Sequence, residues 1–130
     1  MTAEGPARRR LQPLCDKIGR VRIEQVVHAF YARGRAHPAL QPHFARIADF
    51  DEHEARIVEF WWMAMGGRSR RPPVHDMVGR HRALGLGEED FSNWLELFSD
   101  TLHDILPADL AGQWLTMAQG IAARLQQHLL

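Results

Sequence analysis

The chain has 130 residues, 45% of them hydrophobic, which suffices for the core of one ordinary domain without disulfide or metal staples. Sixteen basic residues balance sixteen acidic ones, so no long-range field draws the protein onto nucleic acid or an anionic membrane. A single cysteine, Cys15, excludes an internal disulfide framework and any multi-thiolate zinc site.

Residues 1–14 include Gly5, Pro6, Pro13 and three consecutive arginines, and read as a flexible lead-in to a single domain over residues 15–130. No apolar segment follows the basic run as a secretory signal requires, and "FWWMAM" falls far short of the roughly 20 residues of a membrane span. The expectation is a cytoplasmic protein with no nucleic-acid or membrane partner.

The first helix is predicted in "RVRIEQVVHAFYARG", where Ile23, Val26, Val27, Phe30 and Tyr31 repeat at three and four, and Gly34 with Pro38 marks the stop. Tyr31 is therefore core-facing despite its hydroxyl. "RAHPALQPHFARIAD", with two prolines and Phe44, predicts short helical turns. In "DFDEHEARIVEFWWMAMGG", Asp49 or Asp51 can cap a helix, Glu52 and Glu54 suit its positive end, and Gly66-Gly67 ends it. His53, Ile57, Phe60 and Trp61 share one face of that helix, so the histidine is aimed inward.

"RSRRPPVHD" predicts an exposed loop and "MVGRHRAL" a short helix in which Met77, Val78 and Leu84 surround His81. The strongest pattern is "FSNWLELFSDTLHDIL", with Phe91, Trp94, Leu95, Phe98, Leu102 and Ile105 on one broad face before Pro107. The last helix starts near Asp109 and turns Leu110, Trp114, Met117, Ile121 and Leu125 inward. No strand alternation, repeat or heptad competes, and the fold class is all-α, built of packed long helices.

Two inward histidines, His53 and His81, are separated by a helix end, a loop and the start of another helix. The chain can turn back and set their imidazoles on opposite sides of a slot that suits a flat apolar cofactor. Haem needs such a nitrogen donor, an apolar pocket and a few polar groups on the ligand side, and Tyr31, His53 and Trp94 are polar-tipped residues on apolar faces. Two other classes compete. One is a cofactor-free helical interaction domain in which Trp61, Trp94 and Trp114 fill the core. The other is a non-haem metal-binding helical bundle drawing on His53, His75, His81 and His103. Against the bundle, no Glu-x-x-His pair recurs on two helices. Against the interaction domain, each inward histidine and tyrosine needs a buried partner for no evident gain.

Taken in order, "AFYARGRAHPALQPHF", "FDEHEARIVEFWW", "GRHRAL" and "FSNWLELFSDTL" resemble the group III (P-type) truncated haemoglobins, a family of bacterial globins. The match spans about residues 21 to 106, and the last helix fits by pattern only. The resemblance implies a globin-like, truncated two-over-two helical sandwich around haem b, whose five-coordinate iron takes dioxygen, nitric oxide or carbon monoxide. It implies His81 as the metal ligand and Tyr31, His53 and Trp94 as the distal residues that stabilise the gas. Phe44, Ile57, Phe60, Trp61, Met77, Val78, Arg80, Leu84, Trp94 and Ile121 would then line the cofactor; Arg80 and Arg82 flank His81, and meeting the propionates or forming an ordinary solvated face explains them equally well. Met77 stands where the family usually has proline, and the loop before it is longer than typical. That loop holds a competing ligand, His75, whose expected place is solvent. Nitric oxide dioxygenase-like or peroxidase-like activity would need an external reductase, and a monomer or weak dimer is expected.

Overall fold

Spacing by three and four becomes helix along most of the chain. The computed structural model describes residues 12–69, 81 and 84–129, and no strand occurs among them. The helices are α1 (Leu14–Ile18), α2 (Arg20–Ala36), α3 (Gln41–Phe44), α4 (Phe50–Ala64), α5 (Glu88–Ile105) and α6 (Ala108–Leu129). Helix α2 packs on α4, α5 packs on α6, and α2 also lies against α5, so two helical pairs form two layers. Helix α3 rests on α2, while α1 touches α2, α4 and α6. None of these helices is long and apolar enough to cross a membrane.

The predicted stops and caps are present. Asp49 caps α4 by accepting a hydrogen bond from the Glu52 N–H at 3.1 Å. Beyond the end of α4, Gly66 takes a φ of 100°, a left-handed conformation that favours glycine. Helix α1 has no counterpart among the predicted elements. It is too short to show a period, yet Cys15 and Ile18 are buried and the Cys15 N–H donates to the Met65 carbonyl at 3.3 Å.

On α6 the buried side is partly built of alanine. Ala111, Trp114, Ala118, Ala122 and Leu125 are buried, whereas Met117 and Ile121 are only half-buried. Small residues carry little signal in a hydrophobicity pattern, so the predicted face is rotated toward the larger side chains.

The centre of the core is aromatic. Phe98, 1% exposed, lies between the stacked rings of Trp61 (centroids 5.7 Å apart) and Trp94 (5.0 Å). Its edges meet Phe30 at 5.2 Å and Trp114 at 5.6 Å. Trp114 is fully buried and its indole N–H has no hydrogen-bond partner among the described residues, a cost of about 1–3 kcal/mol that the surrounding apolar burial must offset.

Gly34 lies on the α2 face covered by Phe44, and a Cβ there would fall inside the space of the Phe44 ring. Alanine is favoured over glycine in a helix interior by about 1 kcal/mol, but overpacking costs about 1–3 kcal/mol. Gly34→Ala should therefore lower stability. Gly120→Ala in α6, where nothing lies within 4 Å of the added carbon, should raise it by about 0.5–1 kcal/mol. Denaturant midpoints of the two variants should move in opposite directions; a stabilised Gly34→Ala would remove the steric role of this glycine.

Candidate functional site

Helices α2 and α4 carry the most specific polar contact. The Tyr31 hydroxyl and His53 Nε2 are 3.0 Å apart, and the two rings meet edge-on with centroids 5.2 Å apart. Tyr31 is wedged between Phe44, at 5.2 Å, and Phe30, at 5.6 Å, and is buried. Burial raises the Tyr31 pKa far above its ordinary value, and the Glu54 carboxylate pushes it the same way. The phenol is therefore held protonated. It can donate to a neutral His53 Nε2 or accept from an Nε2–H, and in the second case its own proton is free for another acceptor.

Helix α4 divides its apolar residues between two adjacent stripes. Val58, Trp61 and Met65 are fully buried, while His53, Ile57 and Phe60 are half-buried. Trp61 belongs to the first stripe, facing Phe98 and Trp114, with Phe60 edge-on to it at 5.1 Å. The offset is about 100° per residue, which is why a pattern of four positions reads as one face in sequence and splits in the fold. The same division recurs on α5, where Phe91, Phe98 and Leu102 are buried and Trp94 and Leu95 half-buried. On α6, Met117 and Ile121 form the half-buried flank.

The core is divided accordingly. A main cluster runs from Cys15 to Ala118, a small one joins Phe91, Ala122 and Leu125, and the half-buried Leu95 and Ile121 pack against both. Trp94 stacks on Phe98 and meets Phe30 edge-on at 5.3 Å. Phe44 is buried against Phe30 and Tyr31. His81 is half-buried with helical backbone, its carbonyl accepting from the Leu84 N–H at 3.0 Å, and Leu84 is also half-buried. Met77, Val78, Arg80 and the competing His75 lie outside the described residues.

Two histidines that look like mere polar positions in the sequence have carboxylate partners. His28 Nδ1 lies 2.9 Å from Glu54 Oε1, joining α2 to α4 one turn before the Tyr31–His53 contact. His43 Nε2 lies 3.1 Å from Asp90 Oδ1, joining α3 to the start of α5, while Asp90 Oδ2 accepts from the Gly87 N–H at 2.9 Å. The partners are 26 and 47 residues apart in sequence, so no local pattern announces them.

These features fit a haem. The half-buried stripes supply large apolar side chains, Tyr31 and His53 supply a polar pair beside them, and His81 is an imidazole donor of the right chemistry. Among the described residues, no three His, Cys, Asp or Glu side chains are grouped to hold a bare metal ion.

No curated protein matches the chain. Among solved structures, the group III truncated haemoglobin from Campylobacter jejuni is similar to it at a TM-score of 0.80 and 26% identity, over 87% of this chain and 92% of that one. The 2/2 haemoglobin from Synechococcus sp. PCC 7002, determined in the cyanomet state and with covalently attached haem, shares the fold at a TM-score of 0.79 and 22% identity, over 91% of this chain and 98% of that one. The family model for bacterial-like globins matches residues 13–126. With that match across nearly all of its length and the two-layer fold of the truncated haemoglobins, the chain belongs to the bacterial-like globin family.

Proposed function

We propose that this globin binds haem b through His81 and takes up a diatomic gas, dioxygen, nitric oxide or carbon monoxide, on the side of Tyr31 and His53. The observation that carries this reading is the 3.0 Å Tyr31–His53 hydrogen bond, set in the core beside apolar stripes that the protein leaves half-covered. Both similar structures are titled haemoglobins, and one of them is described with haem. The half-buried Ile57, Phe60, Leu84, Trp94 and Ile121 would form apolar walls. Met77, Val78 and Arg80 belong to the same proposal through the motif around His81.

When bound, haem supplies an iron with one open position for a gas. Everything else falls to the chain. His81 supplies the nitrogen on one side; Phe44 holds Tyr31 from behind; Tyr31, kept protonated, donates to a ligand atom that has taken up negative charge. His53 orients that hydroxyl, and the half-buried Trp94, edge-on to Phe30, is a further donor through its indole N–H. A hydrogen bond to a charged acceptor contributes about 1.5–3 kcal/mol, which slows release by roughly 10- to 100-fold. Such a hold suits retention or reaction of the gas more than delivery, and turnover with nitric oxide or peroxide would draw on an external reductase.

The visible spectrum of the purified protein before and after dithionite and carbon monoxide separates the readings: a Soret band that shifts with the gas is expected. A colourless protein that refuses added haemin would return the fold to the interaction-domain reading. His81→Ala should lose most haem at neutral pH in a haemin titration, and undiminished binding would transfer the ligand role to another histidine, His75 first. Tyr31→Phe should release dioxygen about 10- to 100-fold faster by stopped flow, from the loss of one charged hydrogen bond. Unchanged release would take Tyr31 out of the ligand-holding role.

A further inference from the structure

We propose that Glu54 is a positioning residue for the distal pair: its carboxylate, next to His53 on α4 and bonded to His28 across the α2–α4 face, sets which way the Tyr31–His53 hydrogen bond points, and His28 adjusts that setting from the surface. The inference rests on the haem reading only for its consequence to a bound gas. Its structural content concerns four side chains. His28 and Tyr31 are three residues apart on α2, and Glu54 and His53 are neighbours on α4, so the contacts at 2.9 Å and 3.0 Å are successive rungs between the same two helices.

The outer rung is asymmetric. The Glu54 side chain is 12% exposed and that of His28 is 72% exposed. A charge held that far out of water is screened weakly toward its buried neighbours, while its partner stands largely in solvent. An open groove of about 590 Å³ reaches this rung, lined also by Arg20, Glu24, Asp51, Glu59 and Arg68. Glu24 lies 3.8 Å from Arg20; Glu59 pairs with Arg20 and accepts from the Ser69 hydroxyl at 2.6 Å. Their charges are thus answered by an arginine that stays protonated. Asp51 is exposed, and on the α3 and α5 side His43 and Asp90 answer each other. Within this groove Glu54 differs in its partner, which is an imidazole, His28, and not an arginine.

A carboxylate beside Tyr31 and His53 favours every protonated form of that pair, consistent with the phenol being pushed away from ionisation. With Glu54 charged, His53 keeps its Nε2 proton to higher pH and donates to the Tyr31 oxygen, leaving the phenol proton for a ligand. With glutamine at position 54, His53 gives up that proton earlier and becomes an acceptor that competes for the phenol. Protonated His28 partly cancels Glu54, so the two residues act with opposite sign.

That opposition makes the test decisive. Tyr31 is the only tyrosine in the chain, so biosynthetic fluorotyrosine places a single fluorine reporter beside His53. The purified full-length protein would be titrated by fluorine NMR, kept ferrous and carbon monoxide-bound wherever it carries haem. A colourless preparation would defeat the haem reading but leave this titration readable. The fluorine resonance should follow a protonation step between about pH 5 and 8. Glu54→Gln should move its midpoint down by about half a pH unit or more, His28→Gln should move it up, and Glu54→Asp should restore much of the original value. A step that is absent, a midpoint that neither variant moves, or midpoints that both variants move the same way would make the rung a structural clamp only and overturn the proposal. His28 is exposed enough that its variant reads out even if Glu54→Gln fails to fold.

Discussion

The ring of Phe98 is the point on which the rest of the structure depends. Its faces are covered by Trp61 from α4 and Trp94 from its own helix, and its edges by Phe30 from α2 and Trp114 from α6. One side chain thereby fixes the spacing of both helical layers. Aromatic rings have few rotatable bonds and prefer stacked or edge-on geometry, so a cluster of five constrains orientation as well as distance. Among the described residues nothing answers the indole N–H of Trp114, so what places that ring is apolar packing.

That rigidity reaches the Tyr31–His53 pair through a single peptide. Phe30 belongs to the aromatic cluster and Tyr31 follows it directly, so the hydroxyl inherits a fixed origin. Phe44 closes the other side of the phenol, and it can do so because Gly34 leaves room for its ring against α2. The 3.0 Å contact with His53 then needs only α4 in register, which the Asp49 cap and the packing of Val58 and Trp61 supply. Positioning of this kind comes from the core and not from the polar groups themselves, which individually contribute only about 1 kcal/mol.

Legibility in the sequence followed physical range. Helices with large apolar residues at three and four, their glycine and proline stops, and the inward face of Tyr31 are all local properties, and they are present where the pattern puts them. The resemblance to the group III truncated haemoglobins, carried by motifs around Tyr31, His53, His81 and Trp94, is borne out by the family match and by the Campylobacter jejuni structure. Helix α1 escaped notice because five residues cannot display a period. The alanine side of α6 escaped because small residues weigh little in a hydrophobic pattern. His28 and His43 give no signal of their own because their carboxylates are distant in sequence. Histidine chemistry depends on the partner more than on the residue, and partners are what a linear pattern hides.

The half-buried stripe on α4 also bears on why polar groups occur where they do. Helix α4 turns Asp51, Glu52, Ala55 and Arg56 to solvent, yet it also carries Glu54 and Glu59 at half-buried positions among its apolar residues. Glu52 pairs with Arg56 at 2.6 Å on the exposed side, which orders side chains without strong effect on their neighbours. Glu54 is different because two residues, a rotation of about 200°, bring it round to the α2-facing side, where it meets His28 and solvent screening fades. A carboxylate in that position costs desolvation unless something answers it, and His28 answers it from the rim. The arrangement keeps the charge while leaving its strength open to solution conditions, and its neighbour in the chain is the one histidine in contact with Tyr31. The polar rungs and the aromatic core are therefore two consequences of the same helix pairing: packing sets where Tyr31 and His53 stand, and the outer pair sets the field in which they share a proton.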